Sequence, residues 1–157
     1  MPAESSSVIT DDRVLVISRV FNAPRSLVYK AWTEPERIAQ WFGPQGFKGE
    51  VIKMDARIGG SFRFYMRSPD GTDHWAQGVH HEIVEGERLV YTYAWADANG
   101  NATRPETLIT VSFEDLGGDR TRLTFRQEVF ESMTARDMHN SGWNSSFDRL
   151  AEYLATA

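Results

Sequence analysis

Alternating hydrophobic and polar positions fill most of the chain after residue 12, in short segments rich in Val, Ile, Leu and aromatic residues. Short runs of this composition are typical of β-strands. Most gaps between the later segments hold Gly-Gly, Asp-Gly, Glu-Gly or Asn-Gly, which favour hairpins because tight turns need positive backbone φ. The pattern therefore predicts an antiparallel meander. The predicted strands cover residues 13–21, 50–56, 61–67, 74–84, 88–95, 107–114 and 121–130.

Two short helices are predicted between the first and second strands. After Pro24, which suits the first turn of a helix, apolar residues recur at three- and four-residue spacing. Thr33 and Glu36 have the spacing of a capping box, which predicts the start of the second helix. The residues that these helices are expected to bury are Leu27, Val28, Ala31, Trp32, Ile38, Trp41 and Phe42.

The apolar period changes between residues 132 and 155. Trp143, Phe147, Leu150 and Leu154 fall on one face of a long amphipathic helix. The antiparallel sheet is the predicted surface large enough to cover that face. Gly142 costs a helix interior about 1 kcal/mol relative to Ala, which suggests that another segment approaches closely there.

Size and composition restrict the protein further. A chain of 157 residues fits one domain, expected at residues 13–157, and the Ser-rich residues 1–12 are expected to be a disordered tail. The absence of cysteine excludes disulfides and thiol catalysis. The net charge of -5 argues against a nucleic-acid partner. No apolar run has the length of a membrane span or the form of a signal peptide, so a cytoplasmic protein with no membrane partner is expected.

Short motifs spread along the chain are more specific than these patterns. They are Phe21-x-Ala23-Pro24, Val28-Tyr29-x-Ala31-Trp32-Thr33-x-Pro35, Trp41-x-Gly43, Gly59-Gly60-x-Phe62-x-Phe64, Asp70-Gly71, Gly78, Arg88-Leu89-Val90-Tyr91-Thr92, Thr121-Arg122-Leu123 and Ser141-Gly142-Trp143. Over residues 13–155 the chain resembles bacterial proteins related to the C-terminal domain of the heat-shock protein 90 ATPase activator. These belong to the START-like (polyketide cyclase, SRPBCC) superfamily. The resemblance implies an α+β helix-grip fold, in which a curved antiparallel sheet wraps a long C-terminal helix over a hydrophobic cavity.

The resemblance also implies a set of functions. Members of the superfamily bind lipids, polyketides and hormones, and a few catalyse cyclisation or hydrolysis. We therefore expect binding of a hydrophobic or aromatic small molecule, with no cofactor. The alternatives are a cyclase- or hydrolase-type enzyme and a stress-response or chaperone-accessory protein. The eukaryotic activator engages the chaperone through a separate N-terminal domain, and nothing before Arg13 matches such a domain, which argues against a chaperone contact.

Strand alternation assigns side chains to faces of the sheet and so predicts a site. The inner face should present aromatic residues, which packing alone can explain, and polar residues, which need a protein partner, a water or a ligand when buried. The polar residues could also pair with one another. The expected ligand-binding residues are Phe64, Trp75, Gln77, His81, Tyr93, Trp95, Phe113, Phe125, Met138, His139, Trp143 and Phe147.

For the enzyme alternative, His139 beside Tyr93 or His81 could act as general acid and base, because an imidazole titrates near neutral pH. The sequence has no nucleophile elbow, phosphate-binding loop or HExxH motif. His80 and His81 are adjacent and should face opposite sides of the sheet, so no metal site is predicted.

The first predicted strand bears on the oligomeric state. If residues 13–21 lie at an edge of the sheet, they can pair with a second copy of the chain. The expected partners are thus an apolar small molecule and, through this edge, a homodimer.

Overall fold

The computed structural model describes residues 5–11, 14–128 and 133–157, with side chains described for 14–128 and 134–157. Within these residues the chain forms eight strands and three helices. Their bounds are β1 Ser5–Asp11, β2 Val14–Phe21, α1 Arg25–Thr33, α2 Pro35–Trp41, β3 Lys48–Met54, β4 Ser61–Arg67, β5 Asp73–Val84, β6 Arg88–Ala96, β7 Thr107–Gly117, β8 Arg120–Glu128 and α3 Met133–Thr156.

The strands form one antiparallel sheet in the order β1-β2-β8-β7-β6-β5-β4-β3. Strands β3 to β8 are the predicted meander, each paired with the next along the chain. The helices α1 and α2 carry the chain from β2, beside β8, to β3 at the far edge of the sheet. The predicted α+β helix-grip architecture is confirmed.

Helix α3 covers the sheet through the apolar face that its sequence predicts. Trp143, Phe147, Leu150 and Leu154 are all buried. Trp32 of α1 reaches the same layer, with its ring centroid 6.0 Å from that of Phe147 and 6.4 Å from that of Trp143. The middle of the core is thus filled by aromatic rings from the sheet and from all three helices.

The expected disordered tail is wrong for residues 5–11. These residues form β1, which pairs antiparallel with β2 so that Ser5 lies opposite Arg19 and Val8 opposite Val16. β2 is therefore an inner strand, and the edges of the described sheet are β1 and β3. The predicted homodimer contact through residues 13–21 loses its basis, because β1 already occupies that edge. Residues 1–4, 12 and 13, and the predicted strand end at Val129 and Phe130, lie outside the described residues.

The predicted capping box is wrong as well. Helix α1 continues through Thr33, whose hydroxyl donates to the Tyr29 carbonyl oxygen at 3.1 Å. Glu34 caps α2 instead, without a side-chain hydrogen bond, and Pro35 takes the first helical position, where its missing N–H costs nothing. The Thr33 hydroxyl is engaged within α1 and cannot serve the next helix.

Strand β5 presents the opposite face from the one predicted. Its pairing with β4 places Ala76 opposite Phe64 and Gly78 opposite Phe62, so the small residues and His80 point to the core. The expected inward position of Trp75, Gln77 and His81 is wrong. Phe62 and Phe64 of β4 occupy the volume here, and the β5 residues opposite them are the small Ala76 and Gly78. A register shift between His80 and Glu82 then brings Ile83 opposite Leu89 and against the core.

The close approach expected at Gly142 occurs at Gly78 instead. A Cβ at Gly142 would meet only Pro44 Cγ, at 3.9 Å, which is ordinary contact. A Cβ at Gly78 would lie 1.8 Å from the Thr92 carbonyl oxygen and 2.7 Å from the Phe62 ring. Gly78 is therefore required by packing, whereas Gly142 is not.

These distances predict opposite effects for two matched substitutions. Gly78→Ala should lower the free energy of unfolding by about 2 kcal/mol or more, because the methyl group overpacks rigid backbone and ring atoms. Gly142→Ala should raise it by about 0.5 to 1 kcal/mol, because Ala stabilises a helix interior. Urea denaturation followed by circular dichroism measures both. A stability loss at Gly142 equal to that at Gly78 would contradict the packing described above.

Candidate functional site

A cavity of about 560 Å³ opens between the N-terminal half of α3 and one end of the sheet. Its walls come from α3, from β4, β5, β6 and the start of β7, and from the loops at 42–47 and 97–106. Toward the cavity, α3 presents Ala135 and Gly142, which are too small to reach the sheet, and Met138, which is 70% exposed. Beyond Ser146 the buried face of α3 carries Phe147, Leu150 and Leu154, and the cavity ends. The cavity therefore follows from side-chain size along one helix.

Six of the twelve predicted site residues line this cavity. They are Trp75, Tyr93, Trp95, Met138, His139 and Trp143. The Trp75 ring packs at a tilt against Tyr65, with centroids 4.8 Å apart, and lies under the Arg63 guanidinium at 4.3 Å. Both partners are on the outer face of the sheet, so Trp75 contributes at the rim of the cavity.

The other six predicted residues lie elsewhere. Phe113, Phe125 and Phe147 are packed in the core, with Phe125 4.6 Å from Trp143 between ring centroids. Phe64 borders a separate void of about 30 Å³. Gln77 and His81 are on the outer face, where Gln77 accepts from Arg63 and donates to the Gly100 carbonyl oxygen.

Several lining residues were not predicted as site residues. Phe42 was expected only as part of the core. The loop residues and the small residues carry no hydrophobic period, so no sequence pattern marked them. The additional lining residues are Phe42, Pro44, Phe47, Met66, Asp73, His74, Ala96, Thr103, Arg104, Pro105, Thr107, Ala135, Gly142 and Ser146.

Both ring nitrogens of His139 are engaged. Trp95 Nε1 donates to His139 Nε2 at 3.1 Å, and His139 Nδ1 lies 2.8 Å from the Ala135 carbonyl oxygen. Because Nε2 accepts from an indole N–H, the proton of the neutral ring is on Nδ1, which donates to the carbonyl. The arrangement fixes the ring against Trp95 and leaves neither nitrogen available for proton transfer to a bound molecule.

A chain of buried hydrogen bonds joins α3 to three strands behind the cavity. Trp143 Nε1 donates to Gln127 Oε1 at 2.9 Å, and Gln127 Nε2 donates to Thr107 Oγ1 at 2.8 Å. The Thr107 hydroxyl in turn donates to the Tyr93 carbonyl oxygen at 2.8 Å. The buried amide of Gln127 thus finds its partners inside the protein, as buried amides generally do.

The ionisable lining residues Asp73, His74 and Arg104 are at the mouth of the cavity. Asp73, His74 and Arg104 are exposed. The Arg67 guanidinium donates to Asp73 at 2.7 Å, and this hydrogen bond lowers the pKa of the Asp73 carboxyl below its usual value. The inner part of the cavity is formed by uncharged residues.

Two arginines hold the loops that form the walls of the mouth. Arg149 donates to the carbonyl oxygens of Phe42, Gly43 and Pro44 at 3.0, 2.9 and 3.3 Å. Partial burial lowers the pKa of Arg149. On the opposite side, Arg63 donates to the carbonyl oxygens of Asp97 and Ala98. The cavity walls are thus fixed by contacts from α3 and β4.

The smaller void of about 30 Å³ lies deeper, between α1, α2 and the sheet. His80, Tyr91 and Tyr93 border it, and burial lowers the pKa of His80 and raises those of both tyrosines. Trp32 also borders this void, and its Nε1 is the one enclosed side-chain donor without a partner among the described residues. This void has room for a single water.

The described residues lack a metal-ligating cluster and a membrane-spanning helix. They contain no group of three or more His, Cys, Asp or Glu side chains that could hold a metal ion. None of the three described helices has the length and apolar character to cross a membrane.

The sheet that wraps one long helix, with a cavity between them, defines the helix-grip, or START-like, class of protein. Within this class, residues 22–155 match the model of one family, and the chain belongs to that family, the Activator of Hsp90 ATPase homolog 1-like proteins. A comparison with curated protein sequences finds no match.

Solved bacterial structures share the fold over nearly the whole chain. A protein from Chromobacterium violaceum is 29% identical, with a TM-score of 0.81 over 90% of this chain and 96% of that one. A protein from Arthrobacter aurescens is 24% identical, with a TM-score of 0.87 over 97% and 92%. The AHSA1 protein from Silicibacter pomeroyi is 20% identical, with a TM-score of 0.81 over 91% and 98%. These similarities show the shared fold, and none of these structures is named for a ligand.

The environment of His80 predicts a pH dependence of stability. Burial lowers the pKa of His80 below the ordinary 6.5, against smaller opposing effects of the Gly60 and Asp55 carbonyls and the Asp55 carboxylate. Below about pH 6.5 the unfolded chain therefore binds more protons at His80 than the folded protein does. The free energy of unfolding consequently decreases as the pH falls below that value. His80→Gln should lose less stability than the wild type between pH 7.5 and pH 5 in urea denaturation. His81→Gln, at the exposed neighbour, should follow the wild type, and equal pH slopes in all three proteins would contradict the assignment.

Proposed function

We propose that the protein binds a hydrophobic or aromatic small molecule in the 560 Å³ cavity beside α3. The observation that carries this proposal is a cavity of ligand size whose inner walls are aromatic and uncharged. Pockets of a few hundred Å³ with mainly apolar walls and a few polar groups are typical of small-molecule sites. Binding would then be driven by burial of apolar surface against Tyr93, Trp95 and Trp143.

The fixed walls support binding by a preformed site. The Trp95–His139 and Trp143–Gln127 hydrogen bonds hold three of the aromatic or imidazole rings in place. The Arg149 contacts hold the loop at Phe42 and Pro44. A site that is already ordered avoids much of the entropy cost of ordering side chains around a ligand.

The same geometry favours a binding protein over the cyclase or hydrolase alternative. His139 would have to release Trp95 or the Ala135 carbonyl before it could transfer a proton. Burial raises the pKa of Tyr93, so its hydroxyl is a weak acid that does not readily transfer its proton at neutral pH. A chaperone-accessory role and a cytoplasmic location stay predictions from the sequence.

A substitution that fills the cavity tests the proposed function. The probe is N-phenyl-1-naphthylamine, a neutral apolar dye whose fluorescence rises in apolar surroundings. The wild type should bind it saturably, with a dissociation constant below about 1 mM for a ligand of this size. Ala135→Phe projects a ring into the cavity and should weaken binding at least about tenfold.

The exposed neighbour on α3 gives a matched control for this experiment. Thr134→Phe adds the same ring one position away, on an exposed residue, and should bind the dye like the wild type. Thermal denaturation verifies that both variants are folded. A wild-type protein that shows no saturable binding, or equal binding by Ala135→Phe and wild type, would count against a ligand site in this cavity.

A further inference from the structure

We propose that the cavity selects apolar ligands that carry one neutral oxygen function, such as a phenol, an alcohol or a ketone, which hydrogen-bonds to the hydroxyls of Tyr93 and Ser146. This inference rests on the proposed binding function and names the ligand class for the same site. It follows from which polar groups of the cavity are already satisfied and which are not.

Tyr93 provides the first hydroxyl, on the sheet side. The residue is 3% exposed and lines the cavity. Its backbone carbonyl accepts from Thr107, but its hydroxyl makes no hydrogen bond to any described residue. Burial raises the pKa of this hydroxyl, so it stays protonated and able to donate.

Ser146 provides the second hydroxyl, on the helix side. It is also 3% exposed and lines the cavity, one turn beyond Trp143 on α3. A helical serine commonly bonds the carbonyl four residues earlier or faces water. No such bond is present at Ser146 within the described part of the chain, so its hydroxyl also lacks a partner there.

Both oxygens reach open space rather than being sealed in the core. Among the described side chains, Trp32 Nε1 is the one fully enclosed polar atom without a partner. The Tyr93 and Ser146 oxygens, which have no partner either, are therefore not enclosed. Of the two voids Ser146 borders only the cavity, so the cavity is the space that its oxygen reaches. Tyr93 borders both voids, and we assign its hydroxyl to the cavity side, which Tyr93→Phe tests.

The remaining polar groups of the inner wall are paired within the protein. The Trp95 indole and both His139 nitrogens satisfy one another and the Ala135 carbonyl. The Trp143 indole and the Thr107 hydroxyl are joined through Gln127. A ligand that follows this wall can thus be apolar everywhere except where it meets Tyr93 and Ser146.

The position of the charges favours a neutral oxygen over a carboxylate. Asp73 and Arg104, the fully charged residues of the lining, are exposed at the mouth. A carboxylate placed beside Tyr93 and Ser146 would lose its water without meeting a cation, which is costly. A hydroxyl or carbonyl oxygen avoids that cost, and the two protein hydroxyls can each donate or accept as it requires.

Three matched compounds test this inference by titration of the wild-type protein at neutral pH: naphthalene, 2-naphthol and 2-naphthoate. We expect 2-naphthol to bind about fivefold or more tightly than naphthalene, which corresponds to one net hydrogen bond. We expect 2-naphthoate to bind more weakly than 2-naphthol. Tyr93→Phe and Ser146→Ala should each reduce the advantage of 2-naphthol while naphthalene binding is retained. Ser141→Ala, on the exposed side of α3, is the control and should keep the wild-type preference.

The outcomes separate the inference from the function on which it rests. If naphthalene binds in the cavity and 2-naphthol binds no more tightly, the oxygen site is wrong and the apolar binding function stands. Tighter binding of 2-naphthoate than of 2-naphthol would also overturn the inference. If none of the three compounds binds, both proposals fail. If Tyr93→Phe does not fold, the test rests on Ser146→Ala. Loss of the 2-naphthol preference in that variant is the expected result, and retention of the preference contradicts the assignment.

Discussion

The hydrogen bond from the Trp143 indole to the Gln127 amide fixes the distance between helix α3 and the sheet. It lies in surroundings where an unpaired amide or indole would cost about 1 to 3 kcal/mol, so the two groups are strongly favoured to stay together. Gln127 continues the connection to Thr107, and Thr107 to the backbone of β6. The space between α3 and the sheet differs on the two sides of this hydrogen bond. Toward the C-terminus of α3, large side chains fill the gap, and toward its N-terminus small ones leave the cavity.

The hydrogen bonds of the polar lining groups distinguish a binding site from a catalytic site in this cavity. A catalytic site needs groups that are poised to exchange protons, whereas here the imidazole of His139 is held between an indole donor and a carbonyl acceptor. The hydroxyls of Tyr93 and Ser146 are protonated groups that can orient a ligand. The charged residues remain at the mouth, where water solvates them. Membership of the family defines the fold, and the arrangement of these few polar atoms is what supports a binding function and a class of ligand.

The outer face of the sheet contributes to the site indirectly. Arg63 stacks over Trp75 and donates to the loop at Asp97 and Ala98, which leads to the lining residues Thr103 and Arg104. On the other side of the cavity, Arg149 of α3 donates to the carbonyl oxygens of the loop after α2. Loop positions carry little hydrophobic signal, so neither wall could be predicted from the pattern of the chain. Both are nevertheless fixed by half-buried arginine side chains, which the tertiary structure brings within reach of successive carbonyl oxygens.

The sequence by itself determined the order of strands and helices from β2 onward, the buried face of α3 and the inward positions of Tyr93, Trp95, Phe113 and Phe125, because their hydrophobic periods are long and regular. It could not determine the facing of β5, since a period of two shows which residues share a face but not which face meets the core. That choice depended on the space left by Phe62 and Phe64 on the neighbouring strand. The pairing of residues 5–11 with β2 and the position of the cavity likewise arose only in three dimensions. The volume of a cavity depends on how the side chains of two facing elements fill the space between them. The sequence of either element alone therefore does not predict the cavity.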